Sequence, residues 1–531
     1  MNFREARGYQ SRWENTGLPT GFSNFQFVDQ HYGSDPVLRR IFSQARKHDY
    51  QSVLVEEVRE ADCALLAEEN QALAVRSPDF QKAEVHRISF FRSSSDKAPR
   101  PEDFLGYAIF KWDHFGKESK PLACVFEAVM CPCRGVIQNN FIHCARRYEV
   151  NTTLGRFPVR GVLYAKQNNL TFVCAHAALR SALACVLPEG DISYARMNAL
   201  AGIDHKSRCV GPVGDKTNGL SPQDLEKILD DLGVPYDKLI HEPKLVDPAT
   251  GKPLIFPTEY QRELYGFIES GGPALLAFEL DPRPGEPGEP SRHAVPAFGH
   301  TFNEDAWLPN AQRAYFGGAE AYYPSENWLS NFVIHDDNFG PYFCLPRHFL
   351  KQDNFRLMYG LKSAPTTFRA TTAEAIGFNL CYIIAQTYPK RNQFWYDRFS
   401  VFARSGWLVL RTLLLRRDVY LADLEQMRDR EGASLENDFC QRLRNVLPAY
   451  FWMVEIGAPE LYATTRRKFG EILVAADKPA PPPFSPSLFL AARLPGLVLV
   501  NAGTGSLDVG PSQLRGHTPL FTSAKQPQAC T

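Results

Sequence analysis

Apolar and aromatic runs separated by polar breaks divide the chain into three blocks. In the first block, residues 1–159, the runs cover 52–75, 85–91, 104–111 and 122–131. The last three have the length of strands, and the first is long enough to hold a helix. A polar stretch at 93–100 separates two of them, and the block reads as a β-rich or α+β domain. The second block, residues 160–350, opens on a helix and closes on strands. Within it, 247–257 is loop-like and 282–291 is a long Pro/Gly-rich excursion. The third block, residues 351–531, predicts a helix over 372–387 and strands near 407–415, 450–456 and 471–475. A Pro-rich linker follows at 479–486, a composition unsuited to a helix or a central strand. The tail after Pro511 is expected to be loose. There is no internal repeat, and the fold class expected for the whole is α+β.

Composition narrows the picture. At roughly 100–200 residues per domain, 531 residues fit about three domains. Lysine plus arginine equals aspartate plus glutamate at 59 each, so charge gives no argument for a nucleic-acid partner. Residues 1–12 carry charges and lack the apolar core of a secretory signal. No run reaches the ~20 apolar residues of a spanning helix. The expectation is a cytoplasmic protein that engages neither nucleic acid nor membrane. Its 12 cysteines are scattered, without the dense spacing of a disulfide scaffold. Most are expected to be buried small hydrophobes, which leaves room for one nucleophile.

Cys174 stands out by position. Residues 171–188 read as one helix, because Ala178, Leu179, Ala182, Leu183 and Val186 form an apolar stripe and Pro188 stops it. Cys174 then lies at the N-terminal end. Unpaired backbone N–H groups and the helix dipole there favour a thiolate, the form that attacks a carbonyl carbon. The plainer reading is a buried cysteine capping a core helix. Gln167 shifts the balance, since a side-chain amide just upstream can donate to a developing oxyanion. Further along, 273–278 reads as a buried strand. His293 opens a second strand and Asp336 closes a later one. Such an acid can accept from the imidazole N–H, fix its tautomer and stabilise the imidazolium.

Taken in order, these pieces resemble the papain-fold cysteine peptidases. They look most like the bacterial branch that cleaves bacteriocin leader peptides after a double glycine. In that pattern an amide residue precedes a cysteine that opens a helix of small residues, matched here by Gln167 through Leu183. A helix opened by a small residue follows, matched by Ser221 as N-cap, Pro222 at the first helical position and Gly233 as the stop. Then come an amphipathic helix at 260–269, Gly272-Pro273 before a strand, a His-Ala-Val strand from His293 to Gly299, and Asp336 with Gly340 four residues on. The resemblance covers about 190 residues of the middle block. It implies a papain-like core, a helix packed on an antiparallel sheet. It also implies hydrolysis of a peptide or isopeptide bond without metal or cofactor. Cys174 would be the nucleophile, His293 its base and Asp336 the acid that orients the base. Gln167 and the Cys174 N–H would hold the oxyanion. A protein or peptide is the implied substrate, with the flanking domains free to recognise a protein partner.

Three departures bear on this. Gln167 precedes Cys174 by seven positions where the pattern has six, and Asn168 stands at six. Ala175 follows the cysteine where the branch has glycine. The stretch between His293 and Asp336 is long, because 301–330 is an insertion with Trp307, Tyr315, Tyr322, Tyr323 and Trp328. It reads either as a lid over the cleft or as a packed insertion with aromatic anchors. Two other functions use the same core: an inactive binding or scaffold protein, and an acyltransferase of the transglutaminase type. Cys131-Pro-Cys133 with His143-Cys144 fits zinc templates poorly. The stretch 211–217 lacks the end of a phosphate loop, and Gly503-Thr-Gly505 runs into Pro511. His176 reads as structural. His300 and His335 beside Asp336 and Asp337 form an alternative metal set that competes with the Cys-His-acid order.

Overall fold

Backbone N–H and C=O groups that leave water must pair, and the strand-length apolar runs do so in three large sheets. The computed structural model describes residues 2–3, 11–15, 35–60, 63–76, 85–113, 122–132, 140–167, 174–205, 219–241, 260–280, 291–302, 313–316, 319–347, 349, 354–389, 394–426, 437–465, 467–480, 486–501, 507–510 and 520–521. The first sheet has the order β1 (Asn2–Phe3), β8 (Arg146–Thr152), β9 (Gly155–Ala165), β6 (Leu122–Met130), β5 (Phe104–Asp113), β4 (Val85–Phe91), β3 (Ser52–Glu57), β2 (Ser11–Asn15). Only β1 and β8 run parallel in it. The run 52–75 splits into β3 and a helix, α2 (Ala64–Arg76), preceded in the chain by α1 (Pro36–Lys47).

The second sheet is antiparallel, in the order β10 (Tyr236–Ile240), β17 (Phe355–Leu361), β11 (Ala274–Leu280), β12 (Ser291–Phe302), β15 (Leu329–Asp336), β16 (Gly340–Pro346). A short strand from the first block, β7 (Asn140–Phe141), also pairs with β12. Alternation along these strands sends neighbouring side chains to opposite faces. Leu275, Ala294 and Leu357 meet α3 (Cys174–Val186), α4 (Tyr194–Ala201) and α5 (Pro222–Asp231) on one face. Leu276, Val295 and Met358 meet α6 (Tyr260–Glu269) on the other. Helix α5 starts as its sequence requires. Ser221 accepts from the Asp224 N–H while Asp224 accepts from the Ser221 N–H, and Pro222 takes the first position. Gly233, with φ +64°, ends it in the left-handed region.

The third sheet runs β13 (Ala314–Phe316), β14 (Ala319–Pro324), β18 (Val409–Arg416), β19 (Tyr450–Gly457), β21 (Gly470–Ala475), β22 (Phe489–Leu494), β23 (Leu497–Asn501), β24 (Leu507–Gly510). A separate short pair joins β20 (Arg467–Lys468) to β25 (Leu520–Phe521). Helix α7 (Ala370–Thr387) packs on the third sheet and fulfils the helix expected at 372–387. The insertion 301–330 supplies β13 and β14, so its described part is anchored in the third sheet. Tyr322 packs on Phe378 of α7 (5.1 Å between ring centroids), Tyr323 on Trp407 (5.4 Å) and Trp328 on Tyr462 (5.5 Å). Residues 303–310, with Trp307, lie outside the described residues, as do 211–217, 503–505 and most of the chain after Pro511.

The architecture is therefore mixed, with helices on largely antiparallel sheets, in keeping with an α+β expectation. No helix among the described residues is long and apolar enough to cross a membrane.

A row of buried charges crosses the third sheet. Arg411, Glu455, Glu471 and Arg493 are direct cross-strand partners on β18, β19, β21 and β22. Arg411 donates to Glu455 (2.6 Å), Lys468 to Glu455 and Glu471 (2.6 Å each), and Arg493 to Glu471 (2.7 Å). Burial pushes the Glu471 carboxyl up, but Arg493 and Lys468 outweigh it and bring its pKa down to about 2. A depressed carboxylate adds stability that is complete above its unfolded value and is lost as pH falls through the folded one. At about 1.4 kcal/mol per pH unit, acidification from 4.5 to about 2 should remove roughly 3 kcal/mol through this group. Urea unfolding across that range checks it, with Glu471→Gln expected to flatten the slope.

Candidate active site

Helix α3 is apolar on most of its surface because it lies between two sheets, packed on β12 and on β9. Every residue from His176 to Cys185 is buried, whereas Cys174, the first residue, is half-buried. Arg180, within that helix, is fully buried. It donates to both oxygens of Asp191 (2.8 Å each) and to Glu127 of β6 (2.8 Å). This charged clamp fixes the helix, and with it Cys174, against the first sheet.

His293 lies near the start of β12, opposite Phe278 of β11. The Phe278 ring meets the imidazole edge-on at 5.5 Å. The Cys174 thiol lies beside this imidazole, close enough to favour its charged form. The ring's Nε2 lies 3.2 Å from Asp336 Oδ2 and 3.4 Å from Asp337 Oδ1. Burial opposes a charge on the ring, but Asp336, Cys174 and Asp337 prevail and push its pKa up to about 10.

The two acids end β15 differently. Asp336 Oδ1 accepts from the Asn338 N–H (2.8 Å) and the Phe339 N–H (3.1 Å). Burial raises its carboxyl, but His293 and these N–H groups hold it below the usual carboxylate range. Asp337 is also buried, and burial together with Asp336 moves its pKa up to about 6 against the pull of His293. Its Oδ2 is buried without a hydrogen bond among the described residues.

The turn that presents both acids is braced from three sides. Gly340 has φ +99°, and a Cβ there would lie 3.0 Å from Arg40 Cδ, so glycine is required. From α1, Arg40 Nε donates to Pro341 O (2.8 Å) and Gln44 Nε2 to the same oxygen (2.5 Å). His335 takes the Tyr342 N–H on Nδ1 (3.1 Å) and faces Val162 O of β9 with Nε2 (3.3 Å). An Nδ1 acceptor and an Nε2 donor describe a neutral ring. Burial agrees, pulling its pKa down to about 3. Tyr342 O–H adds a bond to Met130 O (2.7 Å), which ties the hairpin to the first sheet.

The structure thus brings Cys174, His293 and Asp336 together. Gln167 sits just past the end of β9, half-buried, and among the described residues its side chain makes no hydrogen bond to that group. Neighbouring Lys166 bonds Asp35 (3.2 Å), the N-cap of α1. Asn168 lies outside the described residues, so the choice between the two amides stays open. His176 is structural, 3.0 Å from Asn198 Oδ1. The metal set of His300 and His335 with the two acids does not form. His300 bonds Glu269, and His335 serves Val162 and Tyr342. The histidine beside both acids is His293. Of the set-aside cysteine group, Cys131 is disulfide-bonded, His143 lies 3.7 Å from Glu269, and Cys133 is outside the described residues.

Sequence reasoning missed Asp337 as a neighbour of His293. The signal was the adjacent pair Asp336-Asp337, of which Asp337 was considered only in the alternative metal set with His300 and His335. The strand stops at Asp336, and the turn lets both face the ring. Compared with protein-family models, curated proteins and solved structures, the chain gives no significant match.

Proposed function

We propose that the second sheet with α3–α6, which takes in β17 beyond the boundary expected at 350, forms a papain-like cysteine peptidase-type domain that hydrolyses a peptide or isopeptide bond. The observation that carries this reading is the continuous contact from Cys174, at the start of a buried helix, through His293 to Asp336. The order of these residues along the chain, and a helix on an antiparallel sheet, support the same reading.

In this mechanism the thiol proton resides on His293, whose pKa of about 10 keeps the ring charged, and Cys174 sulfur attacks the carbonyl carbon. Asp336 holds the ring and stabilises the imidazolium. The Cys174 N–H, with Gln167 or Asn168, faces the oxyanion. His293 then protonates the leaving amine, which departs and leaves a thioester on Cys174. Water, deprotonated by His293, hydrolyses the thioester and regenerates the thiol.

An activated acyl ester tests this without knowledge of the natural substrate. Incubation followed by acid quench and peptide mass spectrometry should find the acyl group on Cys174, and none at that position in Cys174→Ala. An added amine that collects the acyl group as an amide would redirect the reading to acyl transfer. Absence of any acyl-Cys174 would leave an inactive binding domain.

A further inference from the structure

We propose that His293, Asp336 and Asp337 form a reversible Zn²⁺ site whose filling switches off Cys174. The proposal deepens the peptidase reading by naming a regulator of the same site, and its regulatory half rests on that reading.

One nitrogen and two carboxylate oxygens converge here, all within 4.8 Å of one another. The separations from Nε2 are 3.2 Å and 3.4 Å. Zinc bonded to nitrogen and oxygen at about 2.0–2.1 Å, in tetrahedral geometry, sets its ligand atoms roughly 3.3–3.4 Å apart. Two of the three edges therefore already match such a tetrahedron, and the third, between the two carboxylate oxygens, lies within 4.8 Å and closes by rotation of a carboxylate. Orienting His293 needs one acid, and Asp336 is tied to it and to two backbone N–H groups. Asp337 is a second acid in the same place, 6% exposed, with Oδ2 unbonded among the described residues. A buried carboxylate beside another is costly, and these two share a single ring, His293, as their ion-pair partner. The nearby lysine, Lys166, is already bonded to Asp35. A divalent ion in place of the ring proton balances the two carboxylates, with Asp337 Oδ1 already facing Nε2. Zinc suits one imidazole with carboxylates and keeps its fourth position for water. Magnesium is disfavoured, since it demands six oxygens and keeps several waters.

The consequence for Cys174 follows from the ring. A neutral imidazole has one lone pair in its plane. Once that pair binds the metal, none is left to accept the thiol proton.

The test uses the full chain, freed of metal by chelation. Calorimetric titration with ZnCl₂ should show one site that survives Cys174→Ala and weakens by about 10-fold or more in Asp337→Asn, since even second-shell partners of metal ligands carry 10–100-fold effects. In parallel, Zn²⁺ should slow alkylation of Cys174 and EDTA should restore it. Should Asp337→Asn fail to fold, Co²⁺ titration of the wild type decides: visible d–d bands without a thiolate charge-transfer band support the three-residue set. Absence of binding, equal affinity in Asp337→Asn, loss of the site in Cys174→Ala or a thiolate band would each overturn it. Failure of Cys174 to acylate in metal-free protein would instead sink the peptidase reading and leave the titration to judge the metal site.

Discussion

His293→Ala is expected to slow alkylation of Cys174 by about 100-fold or more, the contribution typical of a positioned general base. The effect should be confined to that thiol. His293 lies beside Cys174 and the two acids, and among the described residues no other cysteine is next to it. Asp336→Asn should have a smaller effect in the same direction. The amide still accepts the backbone N–H groups of the turn but no longer balances an imidazolium. Rates measured for the three proteins at one pH, with the remaining cysteines as internal controls, check both. Equal Cys174 rates in wild type and His293→Ala would refute the proposed role of the imidazole.

Arg180→Ala is expected to destabilise the fold by about 3–5 kcal/mol, the cost of leaving a buried charge without its partner. Both of its carboxylate partners are buried, with Glu127 fully enclosed and Asp191 4% exposed at the side chain. Loss of the guanidinium would leave two negative charges facing each other beneath α3. Arg180→Met combined with Glu127→Gln and Asp191→Asn should recover most of the loss, because the charges leave together. Urea unfolding followed through α3, for example by protection of Cys185 from alkylation, reads the effect where it arises. A change below about 1 kcal/mol, the range of exposed pairs, would mean that the clamp is not a buried one.

What the sequence made legible was local. Capping residues placed α5 within a residue, and apolar runs located β4, β5, β6 and β19. The apolar stripe of α3 was equally clear, and Cys174 does open that helix. The stripe gave no place to Arg180 and Ser181, while His176 was read as structural. All three are buried because a second sheet covers their side, and a polar residue facing another polar residue inside the protein has the same pattern as one facing water. The row from Arg411 to Arg493 was hidden because each of β18, β19, β21 and β22 contributes one member and only the register sets them side by side. Asp336 was found through chain order and not through periodicity. Asp337 was lost because alternation ceases where β15 becomes a turn.

The account stands or falls on whether Cys174 is a nucleophile activated by its surroundings. The direct measurement treats the folded protein with a limiting amount of a thiol alkylator near pH ~6.5, where an ordinary thiol reacts slowly, and maps the modified cysteine by mass spectrometry. Cys124 and Cys344 serve as references, since both are half-buried thiols outside any disulfide, like Cys174. The account predicts that Cys174 is modified first and that His293→Ala removes its lead. Modification of Cys174 no faster than Cys124 or Cys344 would contradict it and leave the fold as a scaffold.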